Sequence, residues 1–122
     1  MTNRPPRRRV LFVEDESGLR RAYERYFASR YDVQFAETGA QALGMLRASV
    51  PDVLVLDLRL PDADGLELLR EIRGLQPTLP VIVTTSYTSM QPLIEVLGID
   101  HSGFLLKPFE LNDLGARIDA AG

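Results

Sequence analysis

Several polar residues that could bind a metal or a phosphate stand directly after short apolar runs of the sequence. Glu14 and Asp15 follow the first run, Asp57 follows a later one and Lys107 follows the last, while Thr84–Thr85 ends a further run. The chain contains no cysteine, which excludes a thiolate metal site and a cysteine nucleophile. A metal at these positions would therefore be held by oxygen atoms.

Short apolar runs alternate with stretches of helical spacing, which indicates repeated strand–helix units. The predicted strands cover residues 10–13, 31–35, 53–56, 81–84 and 104–106. Helical spacing is seen after the first strand at Leu19, Tyr23, Tyr26 and Phe27. We expect the second helix to begin near Thr38–Gly39, the third to end at Gly74 and the fourth to begin at Ser89. Leu111, Leu114 and Ile118 predict a last helix that ends with the chain.

Nearly continuous apolar strands joined by helices are typical of a parallel sheet that is covered on both faces. The predicted fold class is therefore α/β. Such sheets bind ligands outside the carboxyl ends of their strands, where the polar residues stand. If Asp57 lies beside Glu14 and Asp15, each pair of charges about 4 Å apart costs on the order of 4 kcal/mol. Mg²⁺ would relieve this repulsion, and Lys107 would neutralise a phosphoryl group.

Length and composition predict one globular domain, because 122 residues with 45% hydrophobic and 25% charged side chains can bury a core. No apolar stretch is long enough to span a bilayer, so we expect a cytoplasmic protein without membrane contact. The net charge is −3, but basic residues crowd the start of the chain at Arg4, Arg7, Arg8 and Arg9. We interpret residues 1–8 as a solvated tail before a domain at 9–122, and we expect no direct nucleic-acid partner.

The motifs together resemble the receiver domains of two-component response regulators, the CheY-like family, over essentially the whole chain. The resemblance lies in the segments VLFVEDE, VLVLDLRLPDADGLELL, PVIVTTSY and GFLLKPF. It implies a flavodoxin-like (βα)5 fold with strand order 2-1-3-4-5. It also implies that Asp57 accepts a phosphoryl group from a histidine kinase or a histidine phosphotransfer protein.

The resemblance implies a role for each residue at the metal site. Asp15 and Asp57 are expected to ligate Mg²⁺ directly, and Glu14 is expected to act mainly through water. The backbone carbonyl of Arg59 is implied as a further ligand. Lys107 is expected to contact the phosphoryl oxygens.

The resemblance also implies a switch. Thr85, rather than Thr84, is expected to bind the phosphoryl group and move inward, which lets Phe104 rotate toward the interior. The fourth helix, the fifth strand and the last helix would then signal to an output protein or a fused output domain. Arg59 and Tyr87 are expected to flank the path of hydrolytic water, and the Lys107–Pro108 peptide bond is expected to be cis.

Some positions depart from the common family pattern, including Glu14 in place of aspartate, Ser86 in place of a small alanine, and the segment 98–103. His101 lies in that segment, and we assign it no role. A phosphatase of the haloacid dehalogenase type is disfavoured, because it needs an aspartate two residues after the nucleophile, where this chain has Arg59.

A phosphorylation-independent binding module, or pseudo-receiver, remains the alternative. The expected protein is a phosphoryl acceptor that promotes its own phosphorylation and slow dephosphorylation, and not an enzyme with a separate substrate. Homodimerisation is left open.

Overall fold

Five parallel strands form a single sheet in the computed structural model, which describes residues 7–86, 94, 98 and 101–121. Their order in the sheet is β2-β1-β3-β4-β5. The strands are β1 Arg9–Val13, β2 Asp32–Ala36, β3 Val53–Asp57, β4 Val81–Thr85 and β5 Gly103–Leu106. The predicted α/β class and the strand order 2-1-3-4-5 are confirmed.

Four helices lie in the described part of the chain. They are α1 Ser17–Phe27, α2 Gly39–Ala48, α3 Gly65–Leu75 and α4 Leu111–Ala120. Helix α4 corresponds to the last predicted helix, whereas Ser89, where a further helix is predicted to begin, falls outside the described residues. None of the described helices is long and apolar enough to cross a bilayer.

The sheet separates two hydrophobic clusters, and β1 shows how one strand serves both. Val10 and Phe12 join a cluster with residues of α1 and α4, whereas Leu11 and Val13 join a cluster with residues of α2 and α3. Because successive side chains of a strand point to opposite faces, a strand buried on both sides is apolar throughout. Tyr26, on the predicted inner face of α1, is instead 38% exposed.

Side-chain caps begin the two helices that follow β2 and β3. The Thr38 hydroxyl accepts a hydrogen bond from the Gln41 N–H at 3.1 Å, as expected for a helix that begins near Thr38–Gly39. The Asp64 carboxylate accepts one from the Leu66 N–H at 2.9 Å. Helix α3 continues one residue beyond the predicted end at Gly74. These caps fix the loops that leave the carboxyl edge of the sheet.

The arginines that precede β1 contact the folded domain and not only solvent. The Arg7 guanidinium donates to the Ala28 carbonyl at 3.0 Å. The Arg8 guanidinium donates to the carbonyls of Ile118 and Ala121 at 3.3 and 2.5 Å, which lie at the end of α4. The boundary between a tail and a domain at residue 8 stays a prediction.

Candidate functional site

The three carboxylates predicted to form a metal site converge at the carboxyl edge of the sheet. Glu14 and Asp15 follow β1, and Asp57 ends the neighbouring strand β3, whose Leu56 pairs with Val13. One oxygen of each carboxylate lies within 4.8 Å of the others. Glu14 and Asp57 are only 1% and 3% exposed, whereas Asp15 is exposed. All the side-chain donors are carboxylate oxygens, which fit a hard cation such as Mg²⁺.

Lys107 joins the two buried carboxylates. Its Nζ atom lies 2.6 Å from Oε1 of Glu14 and 3.2 Å from Oδ2 of Asp57. The side chain reaches them because β5 ends just before it, and the Lys107 N–H donates to the Thr85 carbonyl at 2.8 Å. The Lys107–Pro108 peptide bond is cis, as predicted. One partly buried ammonium group therefore contacts two buried carboxylates.

Burial and the neighbouring charges shift the pKa values of Glu14 and Lys107. Burial raises the pKa of Glu14 to about 7, and the Asp57 carboxylate adds to that rise while Lys107 opposes it. Burial lowers the pKa of Lys107, but its contacts with Glu14 and Asp57 outweigh burial and raise it overall. Glu14 therefore holds its proton to a higher pH than an exposed glutamate does.

The other predicted site residues surround this cluster. Thr85 ends β4 and is fully buried, and Phe104 in β5 is only 9% exposed and packs in the core. The Arg59 N–H donates to Oδ1 of Asp57 at 3.2 Å. A cavity of ≈ 420 Å³ opens over the carboxylates and is also lined by Arg59 and Ser86. Tyr87 lies outside the described residues, and the roles in switching and hydrolysis stay predictions.

Two charged residues that the sequence analysis did not single out hold the loops of the site. Arg20 donates to the Glu14 carbonyl at 2.8 Å and pairs with Glu37 at 3.1 Å. Asp62, in the loop after β3, accepts from the N–H groups of Gly39 and Ala40. No sequence pattern indicates these contacts, because each connects loops that follow different strands.

Two hydroxyl groups near the site are buried without a hydrogen-bond partner in the described part of the structure. They belong to Thr84 and Tyr23. The Thr84 Cα atom pairs in register with that of Asp57. Burial raises the pKa of Tyr23, and the negative charges of Glu14 and Asp57 raise it further.

Comparison with known proteins agrees with this geometry. The family described as the response regulator receiver domain matches residues 10–119. The response regulator MprA of Mycobacterium tuberculosis is 37% identical over 113 residues, which are 92% of this chain and 49% of MprA. This chain therefore spans about half the length of that relative.

Solved structures show the same fold. A CheY-like receiver domain protein from Methanospirillum hungatei has a TM-score of 0.86 at 25% identity, covering 93% of this chain and 92% of that one. The non-phosphorylated HemR receiver domain from Leptospira biflexa has a TM-score of 0.80 at 32% identity, covering 95% and 93%. The family match covers nearly every described residue, including one hydrophobic cluster, all of the other except Ala121, and the acidic edge of the sheet. The chain belongs to the response regulator receiver domain family.

Proposed function

We propose that this receiver domain accepts a phosphoryl group on the Asp57 carboxylate, in a reaction that depends on Mg²⁺. The observation that carries the proposal is the pair of contacts from Lys107 Nζ to Glu14 and Asp57, at 2.6 and 3.2 Å. In these contacts, side chains at the ends of β1, β3 and β5 meet. A nucleophile, a cation and a set of metal ligands then face the same cavity, as phosphoryl transfer requires.

Glu14, Asp15, Asp57 and the Arg59 backbone carbonyl are the groups proposed to hold the metal ion. When bound, Mg²⁺ supplies positive charge that offsets the carboxylates and the phosphoryl oxygens. Asp15 is exposed and free to enter the coordination shell, whereas Glu14 is buried against Lys107. This difference supports a direct role for Asp15 and a more remote one for Glu14.

The proposed donor is a phosphohistidine of a histidine kinase or a phosphotransfer protein. An oxygen of Asp57 attacks the phosphorus in line, the P–O bond forms, and the P–N bond to the imidazole breaks. The electron pair of that bond stays on the imidazole nitrogen. Lys107 exchanges its contact with Asp57 for one with a phosphoryl oxygen, and it neutralises the added charge as a point cation.

The aspartyl phosphate is proposed to change the neighbouring surface. Thr85 lies in β4, which pairs with the acceptor strand β3, and Phe104 lies in β5, which pairs with β4, so a new contact of the Thr85 hydroxyl would alter their packing. The affected face would consist of the helix predicted to begin at Ser89, strand β5 and helix α4. An output protein or a fused output domain would recognise this face. Arg59 and Tyr87 are proposed to set the rate at which water removes the phosphoryl group.

The test is the intact mass of the protein after incubation with acetyl phosphate, with and without Mg²⁺, for the wild type and Asp57→Asn. We expect the wild type to gain one phosphoryl group only with Mg²⁺, and the variant to gain none. Beryllofluoride should bind to the wild type under the same conditions. If neither reagent reacts, the domain is a phosphorylation-independent binding module instead.

A further inference from the structure

The loop that follows the acceptor strand is fastened to helix α2 by one side chain, Asp62. Its Oδ1 atom accepts from the Gly39 N–H at 2.8 Å, and its Oδ2 atom accepts from the Ala40 N–H at 3.1 Å. The third N–H group of that helix, from Gln41, is bound by Thr38 within the same segment. The start of α2 thus has two kinds of cap, one local and one supplied by the acceptor loop.

The contact is chemically favourable. The first N–H groups of a helix lack partners within the helix and carry partial positive charge, so they bind a carboxylate well. The hydrogen bonds from Gly39 and Ala40 hold the pKa of Asp62 below its usual value. The start of α2 therefore favours the ionised, hydrogen-bonded form of Asp62.

Packing leaves the loop little freedom on either side of Asp62. A Cβ atom on Gly39 would lie 3.0 Å from the Ala63 Cβ atom, so helix and loop are in close contact. At the end of the loop, a Cβ atom on Gly65 would lie 2.1 Å from the Leu58 carbonyl oxygen. The loop is thus held closely at Gly65 and against α2, with the Asp62 carboxylate as its polar anchor to that helix.

The same loop carries groups of the candidate site. The Arg59 N–H donates to Oδ1 of Asp57 at 3.2 Å. The backbones of Arg59 and Asp64 form an isolated antiparallel β-bridge across the loop. The proposed function also assigns the Arg59 carbonyl to the metal ion. A displacement of the loop would therefore move both a ligand and a hydrogen-bond donor of the acceptor.

We propose that Asp62 is a positioning residue for the metal site, which acts by anchoring the acceptor loop to the start of α2. This inference rests on the proposed function. Asp62 does not line the cavity over the carboxylates; its proposed role is to fix the backbone that presents Arg59.

The test compares Asp62→Asn with Thr38→Ala, which removes a cap of the same helix without releasing the loop. Both variants should lower the thermal midpoint of the metal-free protein. Only Asp62→Asn should weaken Mg²⁺ binding in calorimetric titration, by about tenfold, the lower range for residues that support metal ligands. Its phosphorylation rate with acetyl phosphate should fall at low Mg²⁺ and recover at saturating Mg²⁺.

Equal Mg²⁺ affinity in the wild type, Asp62→Asn and Thr38→Ala would overturn the inference. It would show that Asp62 only caps helix α2. If Asp62→Asn fails to fold, Asp62→Ser, whose hydroxyl can accept one of the two bonds, is measured in the same way. A wild type that neither binds Mg²⁺ nor gains mass would overturn the proposed function itself. The two failures are therefore distinguishable.

Discussion

The Nζ atom of Lys107 lies 2.6 Å from Oε1 of Glu14, a carboxylate that is almost completely buried. The same ammonium group lies 3.2 Å from Asp57, so Asp57 shares its only described ion-pair partner with a neighbouring carboxylate. Two buried carboxyl groups therefore share one ammonium group at the ends of β1 and β3. The stability of the metal-free domain should therefore depend on this triad.

Replacing Lys107 with methionine should destabilise the domain in the absence of Mg²⁺. Removal of one partner leaves buried carboxylates without compensation, and we expect a loss of about 3 kcal/mol in unfolding free energy. Urea denaturation measures this loss in unfolding free energy. Arg70→Met is the control, because Arg70 and Glu67 form an exposed pair at 3.8 Å and such pairs contribute about 0.5 kcal/mol. Equal effects of the two substitutions would contradict the prediction.

The raised pKa of Glu14 predicts a pH dependence of stability without metal. The folded-state pKa of about 7 lies above the ordinary value of 4.5, so the folded state holds the proton more tightly than the unfolded state. This contribution is fully present below pH 4.5 and is lost as the pH rises through 7. The unfolding free energy of the wild type, measured from denaturation curves, should therefore fall over this pH range relative to that of Glu14→Gln.

Binding of Mg²⁺ should show the opposite trend for the same reason. The ion competes with the proton on Glu14, so its affinity should rise with pH up to about 7 and level off above it. Calorimetric titration in buffers of different ionisation enthalpy would detect the released proton. Proton release that is unchanged in Glu14→Gln would assign the effect to another group.

Gly65→Ala should be strongly destabilising, because the new Cβ atom would lie 2.1 Å from the Leu58 carbonyl oxygen. We expect a loss of about 3 kcal/mol in unfolding free energy, as for other overpacked sites. Gly44→Ala in α2 is the control, since its Cβ atom would meet nothing within 4 Å. That substitution should stabilise the domain by about 0.5–1 kcal/mol through helix propensity. A mild effect at Gly65 would mean that the loop can move.

Thr84→Val should stabilise the domain, because the Thr84 hydroxyl is buried and has no partner among the described residues. We expect a gain of about 1 kcal/mol in unfolding free energy, the cost of burying an unpaired hydroxyl. Phosphorylation by acetyl phosphate should be unchanged. Thr85→Val is the comparison, and if Thr84→Val is the variant that alters phosphorylation, the assignment of the hydroxyl role to Thr85 is wrong.

The sequence predicts the sheet and the acidic cluster well, because both depend on short-range patterns. Asp57 and Lys107 each follow an apolar run, and parallel strands bring such positions to one edge. The contacts of Asp62 could not be predicted, since its partner Gly39 is 23 residues away and lies in another loop. The burial of Glu14 was also not evident, because its partner Lys107 is 93 residues away.

The Arg8 guanidinium, which donates to the Ala121 carbonyl, places the end of α4 beside the start of β1. Asp57 lies at the other end of the strands. Helix α4 has 10 residues and so is about 15 Å long. A segment joined after Ala121 would therefore begin at the edge of the sheet opposite to Asp57. The proposed phosphorylation at Asp57 would then affect the first residues of such a segment through the packing of α4, whose Leu114 and Ile118 lie in the core beside β1.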